Sequence, residues 1–198
     1  RQSSLEDGDK SKIDSSNQWL WRMNRRKLSA EEVRDSVLSV SGQLNLEMGG
    51  PGFYLFKLEH TAHSPHYYYH KFDPEDKKSH RRSIYRFVVR SQPNPFMTTL
   101  DCADSSQSTP RRNETLTALQ ALSLLNNKFT LVMSQHFADR LAQEGKGSGY
   151  QIKAGFELVA GRLPNTEEYQ LLVQYEEKHG MANLCRSLFS LSEFSFID

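Results

Sequence analysis

The stretch LTALQALSLLNNKFTLVMSQHFADRL, residues 116–141, decides the fold class. Leu116, Leu119, Leu122 and Leu125 recur every third residue, which predicts the apolar stripe of one helix. Phe129, Met133, His136, Phe137 and Leu141 form a second stripe at helical spacing. Asn126-Asn127 between them predicts a break or kink, and Gly145 a stop. The helical pattern then runs to the end of the chain. A helix over about 150–160 closes at Gly161 and Pro164. Asn165 and Glu168 have the spacing of a cap, with Tyr169, Leu172 and Val173 facing in. Gly180 ends that helix, and a last one over about 181–191 presents Leu184, Cys185, Leu188 and Leu191.

Working back toward the N-terminus, one more helix is expected over roughly 29–43. Ser29 and Glu32 make an S-x-x-E capping box. Val33, Val37, Val40 and Leu44 supply its apolar stripe, from which Arg34, Asp35 and Ser36 fall away. Gly49-Gly50-Pro51-Gly52 breaks the chain. Between this helix and the helical second half the pattern changes. Residues 53–58 and 67–72 are short and aromatic-rich, and read as two strands or extended segments. Tyr85, Phe87 and Val89 alternate along 82–90, which reads as strand or extended up to Pro93 and Pro95. Residues 101–113 form a long polar loop. Residues 1–18 carry only Leu5 and Ile13 as large apolar residues, and read as an extended lead-in. Composition shifts at Trp19-Leu20-Trp21. The expected architecture is mainly α: a lead-in over 1–18, then a single helical domain over 19–198 with a small β-hairpin or extended aromatic element.

The 198 residues hold 25 Lys+Arg against 24 Asp+Glu. This balance excludes the strongly basic domain typical of nucleic-acid binding, so no nucleic-acid partner is expected. No run of about 18 apolar residues exists, so no membrane span is expected. Cys102 and Cys185 lie far apart and form no C-x-x-C pair, so no zinc ribbon and no covalent c-type haem are expected in this segment. They read as two isolated thiols, with a single disulfide as the alternative.

Three clusters carry candidate chemistry. His60, His63, His66 and His70 are interleaved with Tyr67, Tyr68 and Tyr69, the residue types of a metal or carbohydrate site. An extended segment need not bring such side chains together, and the plainer reading is a polar aromatic hairpin surface. Asp101 and Asp104 sit near Arg111 and Arg112. They suit either acid–base work or the pinning of a long loop. Arg22, Arg25, Arg26 and Lys27, then Lys77, Lys78, Arg81 and Arg82, make local basic patches. No G-x-S-x-G, P-loop or H-E-x-x-H motif occurs. The Pro in the 49–52 glycine run argues against a phosphate cradle.

Four ordered blocks together resemble a known family: 21–51, 81–90, 101–126 and 183–194. They are similar to the planctomycete-type domain of unknown function fifteen fifty-three, also called planctomycete-specific domain one. The resemblance spans residues 1–4 and 19–198. It implies the C-terminal portion of a larger domain, in a large exported bacterial protein that often carries a c-type haem domain upstream. The implied location is periplasmic or extracellular, and the implied partners are upstream domains of the same polypeptide, with glycan as a further candidate. The family has no established catalytic residues. Its motifs direct attention to Arg82, Asp101, Asp104, Arg112, Gln120 and Asn126. The leading functional expectation is a structural or interaction domain, associated with haem electron transfer or polysaccharide handling. The alternative is an enzyme in which Arg82 and Arg112 bind an anionic group and Asp101 or Asp104 acts as acid or base.

Overall fold

The computed structural model describes residues 4–60, 64–145 and 147–197. The fold is mainly helical. Helix α1, Gly8–Ile13, is capped by the Asp7 carboxylate, which accepts from the Asp9 and Lys10 amides. The lead-in is therefore helical over these residues rather than extended, because a local cap supplies what the polar composition lacks. A two-residue strand β1, Arg26–Lys27, precedes α2, Ala30–Val40. The capping box at Ser29 and Glu32 forms as expected. At the other end Arg140 Nη1 donates to the Ser39 and Val40 carbonyls, adding to the Gly42 amide that already bonds Ser39 O. Gly42, at φ +74°, turns the chain away.

Strands β2, Lys57–His60, and β3, Pro65–Tyr68, make the antiparallel aromatic hairpin, with Leu58 opposite Tyr67. Residues 82–90 form no regular strand. A 3-10 turn at Ser83–Tyr85 is flanked by single bridges, Asn45 to Arg81 and Phe53 to Arg86. The chain is held there by side chains rather than a ladder. Ser83 N donates to both oxygens of Asp35, at 2.8 and 3.0 Å. Helix α3, Pro95–Thr99, follows, with Asn94 as its cap.

The helical half comprises α4, Ala118–Asn126; α5, Lys128–Gln143; α6, Gly147–Ala160; α7, Thr166–His179; and α8, Met181–Leu188. Asn127 is the break between α4 and α5, ending one helix and capping the next. Asn165 and Glu168 form a second capping box, on α7. The last expected helix is shorter than 181–191. It ends at Leu188, and α9, Ser192–Ser195, leads into β4, Phe196–Ile197. β4 pairs antiparallel with β1, Lys27 opposite Phe196, so the two ends of the fold meet.

The core lies between α2, α5, α6 and α8. Val33, Val37 and Leu38 meet Phe129, Met133, Phe137 and Leu141 of α5, with Cys185, Leu188 and Phe189 beyond. Phe137 stacks on Phe189 at 5.7 Å. Burying each such side chain contributes roughly 1.5–3 kcal/mol. Gly155 lets α6 approach α5, since a Cβ there would stand 3.0 Å from Leu141 Cδ1. Helix α7 sits outside this core, and Tyr169, Leu172 and Val173 are only half-buried.

Two expected faces are reversed. Leu116, Leu119 and Leu122 are 73%, 62% and 54% exposed, while Gln120 and Leu124 are the buried residues of α4. A polar network under Gln120 turns that side inward. Arg34, read as off the stripe, is 1% exposed. It lies one helical turn beyond Ala30 and shares a broad inner face with Val33, Val37 and Leu38.

Candidate functional site

The predicted loop residues meet α2 and β1 in two adjoining polar clusters. The first is centred on Asp101. Its backbone sits at φ +64°, a conformation Asp tolerates better than most residues, just past the end of α3. One carboxylate oxygen accepts from Lys27 Nζ at 2.9 Å, the Thr115 amide at 2.8 Å and Gln120 Nε2 at 3.0 Å. The other accepts from Thr115 Oγ1 at 2.9 Å. Lys27 Nζ also donates to Thr115 O and to Gln120 Oε1, so all three of its protons have acceptors. The two side chains are only 8% and 14% exposed. Burial by itself raises the Asp101 pKa, but the Lys27 and Thr115 hydrogen bonds outweigh it and hold the carboxyl below its ordinary value. The group is ionised and fully engaged, which suits a clamp and not a proton carrier.

The second cluster is centred on Glu31. Arg112 Nη1 donates to it at 2.6 Å and Cys102 Sγ at 3.4 Å, and Arg86 Nη2 lies 3.8 Å away. Arg86 also donates to Cys102 Sγ at 3.4 Å. Burial, reinforced by the Glu31 charge, raises the Cys102 pKa and keeps the thiol protonated. Both cysteines are free thiols, and burial pushes Cys185 to about 12.

Asp101 and Arg112 share a pocket of about 100 Å³ with Arg26, Lys27 and Glu114. This is far below the size of ordinary ligand sites. Asp104 and Arg82 do not line it. Asp104 accepts from the Ser106 amide at 2.8 Å in an exposed turn, and Arg82 lies 5.7 Å from the Tyr85 ring centre. Gln120 belongs to the Asp101 clamp. Asn126 Oδ1 accepts from Arg186 Nη2 at 2.7 Å and ties α4 to α8.

In the hairpin, His66 stacks on Tyr68 and His70 meets the same ring edge-on. Tyr67 and Tyr69 pack edge-on against Phe56. Among the described residues no group of three or more His, Cys, Asp or Glu is placed to hold a metal ion. His60, His66 and His70 are described; His63 lies outside the described residues. No helix among the described residues is long and apolar enough to cross a membrane.

Two of the exposed apolar features among the described residues bear on function. One is the row Leu116, Leu119 and Leu122 beside the Asp101 clamp. The other is Trp19-Leu20, exposed on a turn built from within. Asp14 Oδ2 accepts from the Trp19 amide at 2.8 Å, Trp21 Nε1 donates to Asp14 O, and Asn17 Nδ2 donates to Arg22 O. Asn17 and Leu20 both have positive φ, at 55° and 54°. A Leu held there is strained.

Sequence reasoning places Lys27 in a basic patch without its partners, and overlooks Glu31, Arg86 and Thr115 as site residues. Each is one partner of a contact long in sequence, and no local spacing announces it.

The sequence model of the family described as PSD1, protein of unknown function (DUF1553), matches residues 1–176. No curated protein and no solved structure shows a significant match.

Proposed function

This chain belongs to the PSD1 family of unknown function (DUF1553), and from that premise we propose that it is a non-catalytic docking domain of a larger exported protein. The observation that carries this reading is the exposed row Leu116, Leu119 and Leu122. Leu119 and Leu122, three residues apart on α4, and Leu116, just before its cap, are large apolar side chains facing water and mark an interaction surface. Trp19 and Leu20, presented on a braced and strained turn, support it. Gln120 of α4 belongs to the clamp, which ties the start of that helix to Lys27 and Asp101. The saturated Asp101 carboxylate and the protonated Cys102 thiol lend no support to acid–base or nucleophilic catalysis.

The partner in this reading is another domain of the same polypeptide, in the periplasm or outside the cell. A c-type haem, where the polypeptide carries one, belongs to that neighbour, because this segment has no C-x-x-C pair. A role in electron transfer or polysaccharide handling is then indirect, through placement of the neighbour.

A photoreactive benzoylphenylalanine at position 119 of the full-length protein tests the proposal. Cross-links should map by mass spectrometry to a segment outside these 198 residues, and should be absent with the same probe at exposed Lys57. Cross-links confined to this domain, or equal at both positions, would refute it.

A further inference from the structure

The fully buried Arg34 borders a cavity of about 270 Å³ between α2, the aromatic hairpin and the start of α5. We propose that this cavity binds a small organic acid, a carboxylate on an apolar body, with Arg34 as its counter-charge.

Three observations converge. First, the guanidinium has donors left over. Nη1 is spent on Arg81 O and Ser83 Oγ at 3.1 Å each, with Asp35 at 3.4 Å, and Nη2 donates to Ser79 O. Among the described residues Nε and the second Nη2 proton find no acceptor. The guanidinium also lies over the Phe53 and Phe129 rings, and a carboxylate oxygen in the cavity would give its remaining donors a charge-assisted partner. Second, the positive charge is only partly offset. The neighbouring carboxylate, Asp35, also accepts from Ser83 N and Ser83 Oγ. Burial first, and then Arg86, brings Arg34 down to about 10, so it stays charged at neutral pH. Third, the walls are matched to an apolar body that carries one polar end. Tyr69, Phe72 and Phe96 line the space. Asn94 and Asn127 line it too, and each spends Oδ1 on a helix cap, which leaves an NH2 donor. Helix α5 begins at this cavity, and its N-terminal dipole adds to the preference for an anion.

The volume lies just under the range of about 300–1,000 Å³ for ligand pockets, so the occupant is metabolite-sized. Shape and charge favour a single carboxylate on an aromatic ring or short alkyl chain over a phosphate, which the aromatic walls would leave poorly solvated.

Titration of the full chain with benzoate, 3-phenylpropanoate and hexanoate, each beside its primary amide, tests this. Calorimetry and amide NMR should show saturable binding with a dissociation constant of about 1 mM or tighter for at least one acid. The Asn94 and Asn127 side-chain NH2 signals should shift. The matching amide should bind about tenfold more weakly or worse, the worth of a hydrogen bond to a charged group. Leu55→Phe, which enlarges an apolar side chain lining the cavity, should weaken the acid by a similar factor. If that variant loses its folded spectrum, Phe72→Trp from the rim takes its place. No saturable binding of any acid, equal binding of acid and amide, or binding untouched by the filling variant would each overturn the proposal.

Discussion

Asp101 concentrates the residue-scale physics of this fold. Its carboxylate and the Lys27 ammonium are nearly removed from water and close every remaining donor and acceptor on each other, Thr115 and Gln120. A buried pair of this kind is weak evidence of net stabilisation, but breaking one side is expensive, because it strands the other charge. Asp101→Asn should destabilise the domain by about 2–4 kcal/mol in urea unfolding. Lys27→Met should do likewise. The double variant should cost clearly less than the sum, since neither charge is then left alone. Additive costs would mean that the two groups act independently and that the clamp is not a unit.

At the scale of elements, the legible parts are those whose signals are local. The capping boxes at Ser29/Glu32 and Asn165/Glu168 were readable because both partners lie three residues apart. The aromatic runs point to the hairpin, but its strands fall at 57–60 and 65–68 rather than over 53–58 and 67–72, with 69–71 a 3-10 turn; the α4–α5 break is readable from Asn126-Asn127. What was not legible is which face of an element meets the core. Leu116, Leu119 and Leu122 have the spacing of a buried stripe, yet Gln120 points inward because Lys27 and Asp101, distant in sequence, need its amide. Arg34 was hidden for the converse reason: its acceptors are the carbonyls of Ser79 and Arg81, which no helical periodicity reveals. The two faces of α4 separate the readings by experiment. Leu119→Ser with Leu122→Ser should change unfolding stability by no more than about 0.5 kcal/mol per site, as surface changes do. Leu124→Ala should cost about 2–4 kcal/mol, as buried leucines do. A large loss from the serine pair would return those leucines to the core.

The whole molecule is closed by contacts between distant parts. β1 pairs with β4, Arg140 caps α2, and Glu31 and Asp101 each hold a cation from a distant segment, while Glu32 holds Arg26 six residues before it. These carboxylates make the fold acid-sensitive in a defined window. Hydrogen bonds from Arg26 first, and then from Ser29, outweigh burial and bring Glu32 from its ordinary 4.5 to about 2. Glu31 and Asp101 are also lowered: burial opposes ionisation in both, and Arg112 in one case and Lys27 in the other outweigh it. A carboxyl with a depressed folded pKa binds fewer protons folded than unfolded, so stability falls as pH falls. The contribution is complete above the unfolded value near 4.5, and is gone once pH passes below the folded value near 2. With 25 Lys+Arg against 24 Asp+Glu, protonation also leaves a strongly positive chain that repels itself. The urea midpoint should therefore stay nearly flat from about pH 7 to 5, then drop steadily toward pH 2. Arg26→Gln should make the acid limb shallower without abolishing it, because Glu32 would keep only the Ser29 hydrogen bonds that lower it. A midpoint that holds constant to pH 2, or an acid limb unchanged by Arg26→Gln, would show that these ion pairs do not set the acid sensitivity.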